Sequence, residues 1–427
     1  MRGHASALAA LLIASAAACG GDGGADTAPA ARETQQDDGA AVNTGDGTLS
    51  IGYVLPQSGQ LAYLGPPTIS GAELAVQDVN AAGGVLGEEV QLSGGDEGDG
   101  DGTIAKQTTD RLLARGVDAI VGTTASAIAL TIIDEVKSAG VVMCSPANTS
   151  PTLTTYPDDG LYFRTVASDG LQGPVVSDLV TGDGYASVVV LVRADDYGEN
   201  LAENVARELE ESGAQVDTVT YDPATQSFDA DVDKVASFSP EAVVLISFDE
   251  GVRALSTMIE RGLGPDDVGI YWIGYANPSA PKRVDPDDPT VLDGVQGTVA
   301  SYPSDEPFLE RVKEYRSDIE DTSFAAHSYD CVVAIALAAL QGGADDPATI
   351  AENLVAVTRD GTECESFEDC SKLLDDGEDI DYQGAAGPLD FTDAGEPSAG
   401  TYDIWEYDGA ANPDDPLRVL DTVTASS

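Results

Sequence analysis

The chain has 427 residues, more than one hydrophobic core of usual size accommodates and enough for two lobes. A hydrophobic fraction of 42% with 46 Gly and 22 Pro describes a turn-rich globular protein, not a disordered or fibrous one. Only 20 Lys and Arg stand against 75 Asp and Glu, a formal net charge of -55, which excludes the basic surface that nucleic-acid binding needs. Self-repulsion on this scale destabilises a compact state unless salt screens it, so the composition points to a saline habitat.

The chain opens with MRGHASALAALLIASAAAC, in which Arg2 supplies a positive start and Ala7 to Ala14 an apolar run too short to span a membrane. The small residues Ala16, Ala17 and Ala18 before Cys19, with Gly20 after it, resemble the bacterial lipobox, although Ala16 stands where Leu is usual. The expectation is a lipoprotein signal peptide over 1–19, lipidation of Cys19, and a protein held on the outer side of the cell membrane. Residues 20–47 are rich in Gly, Ala, Asp and Thr and read as a flexible acidic tether.

From residue 49 short β-branched runs alternate with helical periodicity, the pattern of βα units and parallel sheets. Strands are predicted at 49–55, 89–95, 117–122 and 141–145, with helices over 69–81, 103–115 and 126–139 between them. A second series follows, with strands at 186–192, 214–221, 241–248 and 268–274 and helices over 171–180, 198–211, 229–237 and 250–261. A further strand-like segment covers 294–301, an almost wholly apolar helix 324–340, and strand-like pieces GPLDF and TYDIWEY end the pattern. The fold class is therefore α/β with two doubly wound parallel-sheet lobes, whose ligand-competent loops lie at the carboxyl ends of the strands.

Cys364 and Cys370 lie six apart in a loop-rich stretch and are expected to bridge, whereas Cys144 and Cys331 read as buried free thiols. With only His4 and His327 and no CxxC, neither a zinc nor a haem site is expected, and no cofactor is assigned. No GxSxG elbow, HExxH, P-loop or GxGxxG occurs, so catalysis is not expected.

The stretch LSIGYVLPQSGQLAYLGPPTISGAELAVQDVNAAGGVLGEEVQL resembles the first βαβ unit of type I periplasmic binding proteins of the branched-chain amino acid receptor family. VDAIVGTTASAIALTIIDEVKSAGVVMCSPANTSPTLT, YFRTVASDGLQG, DDYGENLAENVARELEESGAQV, HSYDCVVAIALAAL and DYQGAAGPLDFTDAGEPSAGTYDIWEY continue the resemblance over nearly all of 48–410. It implies two lobes joined by three chain crossings, near 166–169, 299–302 and 384–390, that close on a ligand. The N-terminal lobe would take 48–167 and 301–385, and the C-terminal lobe 168–300 and 386–427. The implied function is capture of an amino acid or similar small polar solute by a monomer that delivers it to the permease and ATPase subunits of an ABC importer. A ligand-sensing receptor domain is the alternative, since one clamp serves both roles.

Several residues are singled out for the cleft. Ser126 begins a helix after a strand, where its hydroxyl and the first free amides form an anion site. The next strand ends in SPANTSP, which offers Asn148, Thr149 and further amides. The resemblance implies that Ser126, Ala147 and Thr149 hold a ligand carboxylate. Ser58 turns the loop after the first strand, Tyr63 faces the ligand side chain, and Tyr197 covers the ligand from the second lobe. In amino-acid binders of the family an acid follows a second-lobe strand, but the matching loop here is Gly274-Tyr275-Ala276-Asn277. Asp249 or Glu250 is expected to supply the missing charge and Phe248 an apolar wall, with Tyr275 also facing the cleft. If neither acid does so, a ligand without an ammonium group, such as an amide, a urea-like compound or a short carboxylate, stands as the alternative to an amino acid.

Overall fold

The computed structural model describes residues 43–301, 307–319 and 321–426, so the signal segment and Cys19 lie outside the described residues. Residues 43–47, expected to belong to a tether, are part of the folded body. Asn43 Nδ2 donates to Asp118 Oδ1 at 2.7 Å, and the amides of Asp46 and Gly47 donate to Asp345 Oδ2 at 3.0 and 2.8 Å, so 43–47 are tied to the folded body.

The first series builds β1 (Ser50–Leu55), α1 (Gly65–Ala81), β2 (Gln91–Asp96), α2 (Thr103–Leu113), β3 (Ala119–Gly122), α3 (Ser126–Ser138), β4 (Val142–Ser145), the short α4 (Pro151–Thr154) and β5 (Tyr162–Arg164). The strands pair in parallel in the order β2-β1-β3-β4-β5. Both faces of β3 are buried, as a strand with helices on either side requires, and this explains its unbroken AIVG run.

The second series builds α5 (Asp169–Gly182), β6 (Ser187–Arg193), α6 (Asp196–Glu211), β7 (Gln215–Tyr221), α7 (Asp229–Phe238), β8 (Ala242–Ile246), α8 (Gly251–Glu260), β9 (Gly269–Ile273), α9 (Ala280–Val284) and β10 (Gln296–Ala300). The chain then returns to the first lobe with α10 (Pro307–Tyr315), α11 (Ala325–Gly342), α12 (Pro347–Leu354), β11 (Thr362–Cys364), α13 (Phe367–Asp375), β12 (Ile380–Gly384) and β13 (Gly387–Pro388). Two final strands, β14 (Ala399–Tyr407) and β15 (Leu417–Ser426), complete the second sheet, whose order is β15-β14-β10-β9-β8-β6-β7. Five of its strands are parallel, but β14 and β15 run antiparallel, so this sheet is mixed. No predicted strand covered β15, because its Val419 and Leu420 are exposed on a sheet edge and leave no buried face to read.

The last passage between lobes comes later than 384–390. Leu389 and Phe391 are buried in the first-lobe core, Gly395 O accepts the Arg164 amide at 2.9 Å, and the second sheet is reached only at Ala399. Each sheet has a separate apolar core on either face. Every residue of α11 from Ala325 to Ala339 is buried, yet no described helix is long and apolar enough to cross a membrane.

Cys364 and Cys370 are joined, as expected. Cys144 and Cys331 are not free thiols but a second disulfide, which ties the end of β4 to α11 across 187 residues of sequence. Burial of both made them look like small hydrophobes. The fold brings their Cα atoms to 5.8 Å, which is bridging distance.

Candidate ligand-binding site

In each sheet the strand order reverses between two strands, β1 and β3 in the first, β6 and β8 in the second, and the loops leaving these carboxyl ends face one cavity. The first lobe contributes Leu61, Tyr63 and Leu64 after β1, Thr124 and Ser126 after β3, and Ala147 and Thr149 after β4. From the second come Tyr197 after β6, Phe248 after β8, and Gly274, Tyr275 and Ala276 after β9.

The polar end is built around Ser126. Its Oγ accepts the amides of Thr149 at 3.2 Å and Ser150 at 3.3 Å, which commits the oxygen and leaves the hydroxyl proton available to an acceptor. Arg164, fully buried, fixes the opposite side of that loop by donating to Asn148 O at 3.1 Å and Ser150 O at 2.9 Å while pairing with Glu396. Thr124 stands beside Ser126 in the cavity wall, and its side chain is hydrogen-bonded to the Glu97 carboxyl. The sequence reading missed Thr124, although its place two residues before Ser126 in the same strand-to-helix turn was a signal. The amides of Thr124 and Ala125 donate to Glu97, at 2.6 and 3.1 Å. This acid is buried, and desolvation raises its carboxyl to about 8. The helix start is therefore already occupied by a side chain of the protein.

The apolar end is aromatic. Tyr197 stacks on Phe248 with ring centroids 5.1 Å apart, and the Arg193 guanidinium lies 3.7 Å above the Phe248 ring. Tyr63 meets Tyr275 edge-on at 5.3 Å, one ring from each lobe. Gly274 has φ 91°, and a Cβ there would lie 2.5 Å from Tyr197 Oη and 2.8 Å from Ser247 O, so this position excludes a side chain.

Further contacts hold the lobes together away from the cavity. Gln60 Oε1 accepts from Arg193 Nη1 at 3.1 Å and Gln60 Nε2 donates to Pro223 O at 3.0 Å. On another part of the cleft, Thr152 Oγ1 donates to Asp196 Oδ1 at 2.9 Å and accepts from Asn200 Nδ2 at 3.2 Å.

Of the residues expected in the cleft, Tyr63, Ser126, Ala147, Thr149, Tyr197, Phe248 and Tyr275 line this one cavity, and Ser58, Asn148 and Asp249 do not. The Ser58 hydroxyl and amide are bound to Asp96, which makes that residue the hinge of an exposed loop. Asn148 is fully buried and spends its amide group on Thr124 O and Tyr162 OH, at 2.9 and 3.2 Å. Asp249 is drawn outward by Arg283, which grips both carboxylate oxygens, and by Tyr275 OH at 3.0 Å, and these partners hold its carboxyl below the usual range against burial. Glu250 is buried against Arg193 at 2.8 Å and Tyr221 OH at 2.9 Å and lies outside the cavity wall. Neither acid stands in for the one missing from the 274–277 loop, and among the described residues no charged side chain lines the cavity.

A two-lobed clamp with hydroxyls at one end of an interlobe cavity and aromatic rings at the other is the architecture of periplasmic binding proteins of type I. The model of the periplasmic binding protein family matches residues 48–377, and the chain belongs to that family. It is 26% identical over 381 residues to Leu/Ile/Val-binding protein homolog 3 of Brucella melitensis, covering 84% of this chain and 91% of the relative. A branched-chain amino acid transporter substrate-binding protein from Streptococcus pneumoniae in complex with isoleucine superposes with a TM-score of 0.70 at 22% identity, over 89% of this chain and 100% of that one. An ABC transporter solute-binding protein from R. palustris in complex with benzoate gives the same TM-score of 0.70 at 17% identity, over 89% and 98% of the two chains.

Proposed function

We propose that this protein captures an amino acid with an apolar side chain, of the leucine, isoleucine or valine kind, and delivers it to the permease and ATPase subunits of an ABC importer. The supporting observation is the lining of the cavity, which combines the polar residues Thr124, Ser126 and Thr149 for a carboxylate with the rings of Phe248, Tyr63 and Tyr275 for an aliphatic group. The binding-protein names carried by its relatives point the same way. The protein acts outside the cytoplasm as a monomer, held to the membrane by a lipid on Cys19.

A second reading is favoured by one feature. Among the described residues the cavity wall carries no charge, which suits an uncharged amide or a carboxylate lacking an amine as well as it suits an amino acid. Calorimetric titration of the secreted body in molar salt with leucine, isoleucine, valine, benzoate and short amides tests both. Leucine-class binding that drops at least about tenfold in Ser126→Ala, the loss of one hydrogen bond to a charged group, is the expected result. Binding of amides or benzoate alone replaces the amino-acid reading with the second one.

A further inference from the structure

Two adjacent acids hold two different loops of the first lobe. Asp96 ends β2 and accepts the amides of Gln57 and Ser58, at 2.7 and 3.1 Å, in the loop after β1. Glu97 follows it and reaches the turn after β3, a strand that does not adjoin β2 in the sheet. Only 1% of Glu97 is exposed, and its carboxyl is bound by the amides of Thr124 and Ala125 and by the Thr124 side chain. A serine or asparagine satisfies amides of this kind without taking a carboxyl out of water, so an acid at this place points to a use for its proton.

Thr124 stands between this acid and the ligand cavity, whose wall it shares with Ser126. Its hydroxyl has one proton and can either donate or accept. An ionised carboxylate only accepts, so with Glu97 charged the Thr124 proton is spent on Glu97 and lone pairs are left for the cavity. With Glu97 neutral, the acid donates its own proton to Thr124 Oγ1, and the Thr124 proton is free for an acceptor in the cavity. The two states differ by one proton and respond to an anion in opposite ways.

We propose that Glu97 is a positioning residue for the ligand's carboxylate, acting through the Thr124 hydroxyl, and that capture favours the form in which this buried acid carries its proton. The inference rests on the reading of the cavity above only in requiring a ligand with a carboxylate. Desolvation raises the Glu97 carboxyl to about 8 in the empty cleft. A bound carboxylate adds a like charge and draws on the Thr124 proton, so the bound state holds the Glu97 proton more tightly than the empty one. Binding therefore takes up a proton near pH 8, is at full strength below it, and weakens as pH rises from 8 to 9. Of the charged groups around Glu97, Asp96 raises it further; against partial burial, hydrogen bonds from Ser58, Gln57 and Gly98 hold Asp96 below its ordinary value. The β1 loop, Pro56 to Ser58, and the turn from Thr123 to Ser126 carry no charged side chain. In the 98–102 loop Asp99 accepts the Gln60 amide and Asp101 binds Thr103, while on α2 Lys106 and Asp110 bear on Glu135 and Arg111 donates to Gly94 O.

The test is calorimetric titration of the secreted protein with leucine at pH 7, 8 and 9 in molar salt, repeated in buffers of different ionisation enthalpy to count protons. If the ligand raises Glu97 by about one unit, wild type takes up about 0.4 proton per leucine at pH 8 and binds about fivefold more weakly at pH 9 than at pH 7. Glu97→Gln keeps a neutral donor beside Thr124, so it should bind within about threefold of wild type at pH 7, without the proton uptake and without the added loss at pH 9; taking the difference from wild type cancels the titration of leucine's own amine. If that variant does not fold, Thr124→Val should lose most of the pH dependence and Thr124→Ser, which restores the hydroxyl, should keep it. No proton uptake by wild type, undiminished uptake in folded Glu97→Gln, or an unchanged pH profile in Thr124→Val overturns the proposal while leaving leucine binding in place. If wild type binds benzoate and not leucine, the amino-acid reading fails alone and benzoate, with the same carboxylate, carries the same test. Binding of amides only overturns both.

Discussion

Removing the bridge between Cys144 and Cys331 should cost far more stability than removing the one between Cys364 and Cys370. A cross-link constrains the unfolded chain in proportion to the logarithm of the loop it closes, and the loops here span 187 and 6 residues. The chain-entropy relation gives about 5 kcal/mol for the first and about 2 kcal/mol for the second at 25 °C. The longer loop contains the whole of α5 to β10, so the bridge limits how far the first lobe's sheet and α11 separate when the second lobe is inserted between them in sequence. Both sulfurs of the long bridge are fully buried, and replacing the pair by Ala adds a small packing loss in the same direction. The assay is urea unfolding of Cys144→Ala/Cys331→Ala and of Cys364→Ala/Cys370→Ala without reductant. Equal losses, or a larger loss for the short-loop pair, would refute the reasoning.

Gln60→Ala removes two hydrogen bonds between the lobes without touching the cavity, so leucine-class affinity should fall roughly tenfold, mainly through faster release in stopped-flow measurements; an unaltered release rate would show that closure does not depend on this contact. Burial raises the carboxyls of Glu97 to about 8 and of Asp330 to about 7. A folded-state pKa above the unfolded one gives stability that is present below pH ~4.5 and lost as pH rises through 7 to 8, so Tm in molar salt should fall from pH 5.5 to 8.5; a flat or rising Tm contradicts this. With a net charge of -55, Tm should also climb between low salt and molar KCl at constant pH, and a Tm indifferent to salt would remove the case for a saline habitat.

Most of the fold was readable because its strands are local and doubly buried. Runs such as ASVVVLV and EAVVLISF announce themselves by composition; β8 lies inside the second, and β6 overlaps the first and ends one residue beyond it. Half of the site was readable for the same reason, since Ser126 and Thr149 follow directly on strands. Tyr402 was not, because it reaches the cavity wall on a strand that returns from the far end of the chain. Asp249 misled for a related reason. Its partner Arg283 lies 34 residues on, in a helix whose packing against α8 no spacing rule supplies.

Gly274 limits how this cleft can be rebuilt. Because the Tyr197 hydroxyl and the Ser247 carbonyl already fill the volume a side chain would enter, and because the backbone there is left-handed, grafting an acid at this position would displace the aromatic lid that the ligand is meant to meet. A change of cargo by drift or by engineering therefore has easier routes through its neighbours Tyr275 and Ala276, whose side chains face the same chamber.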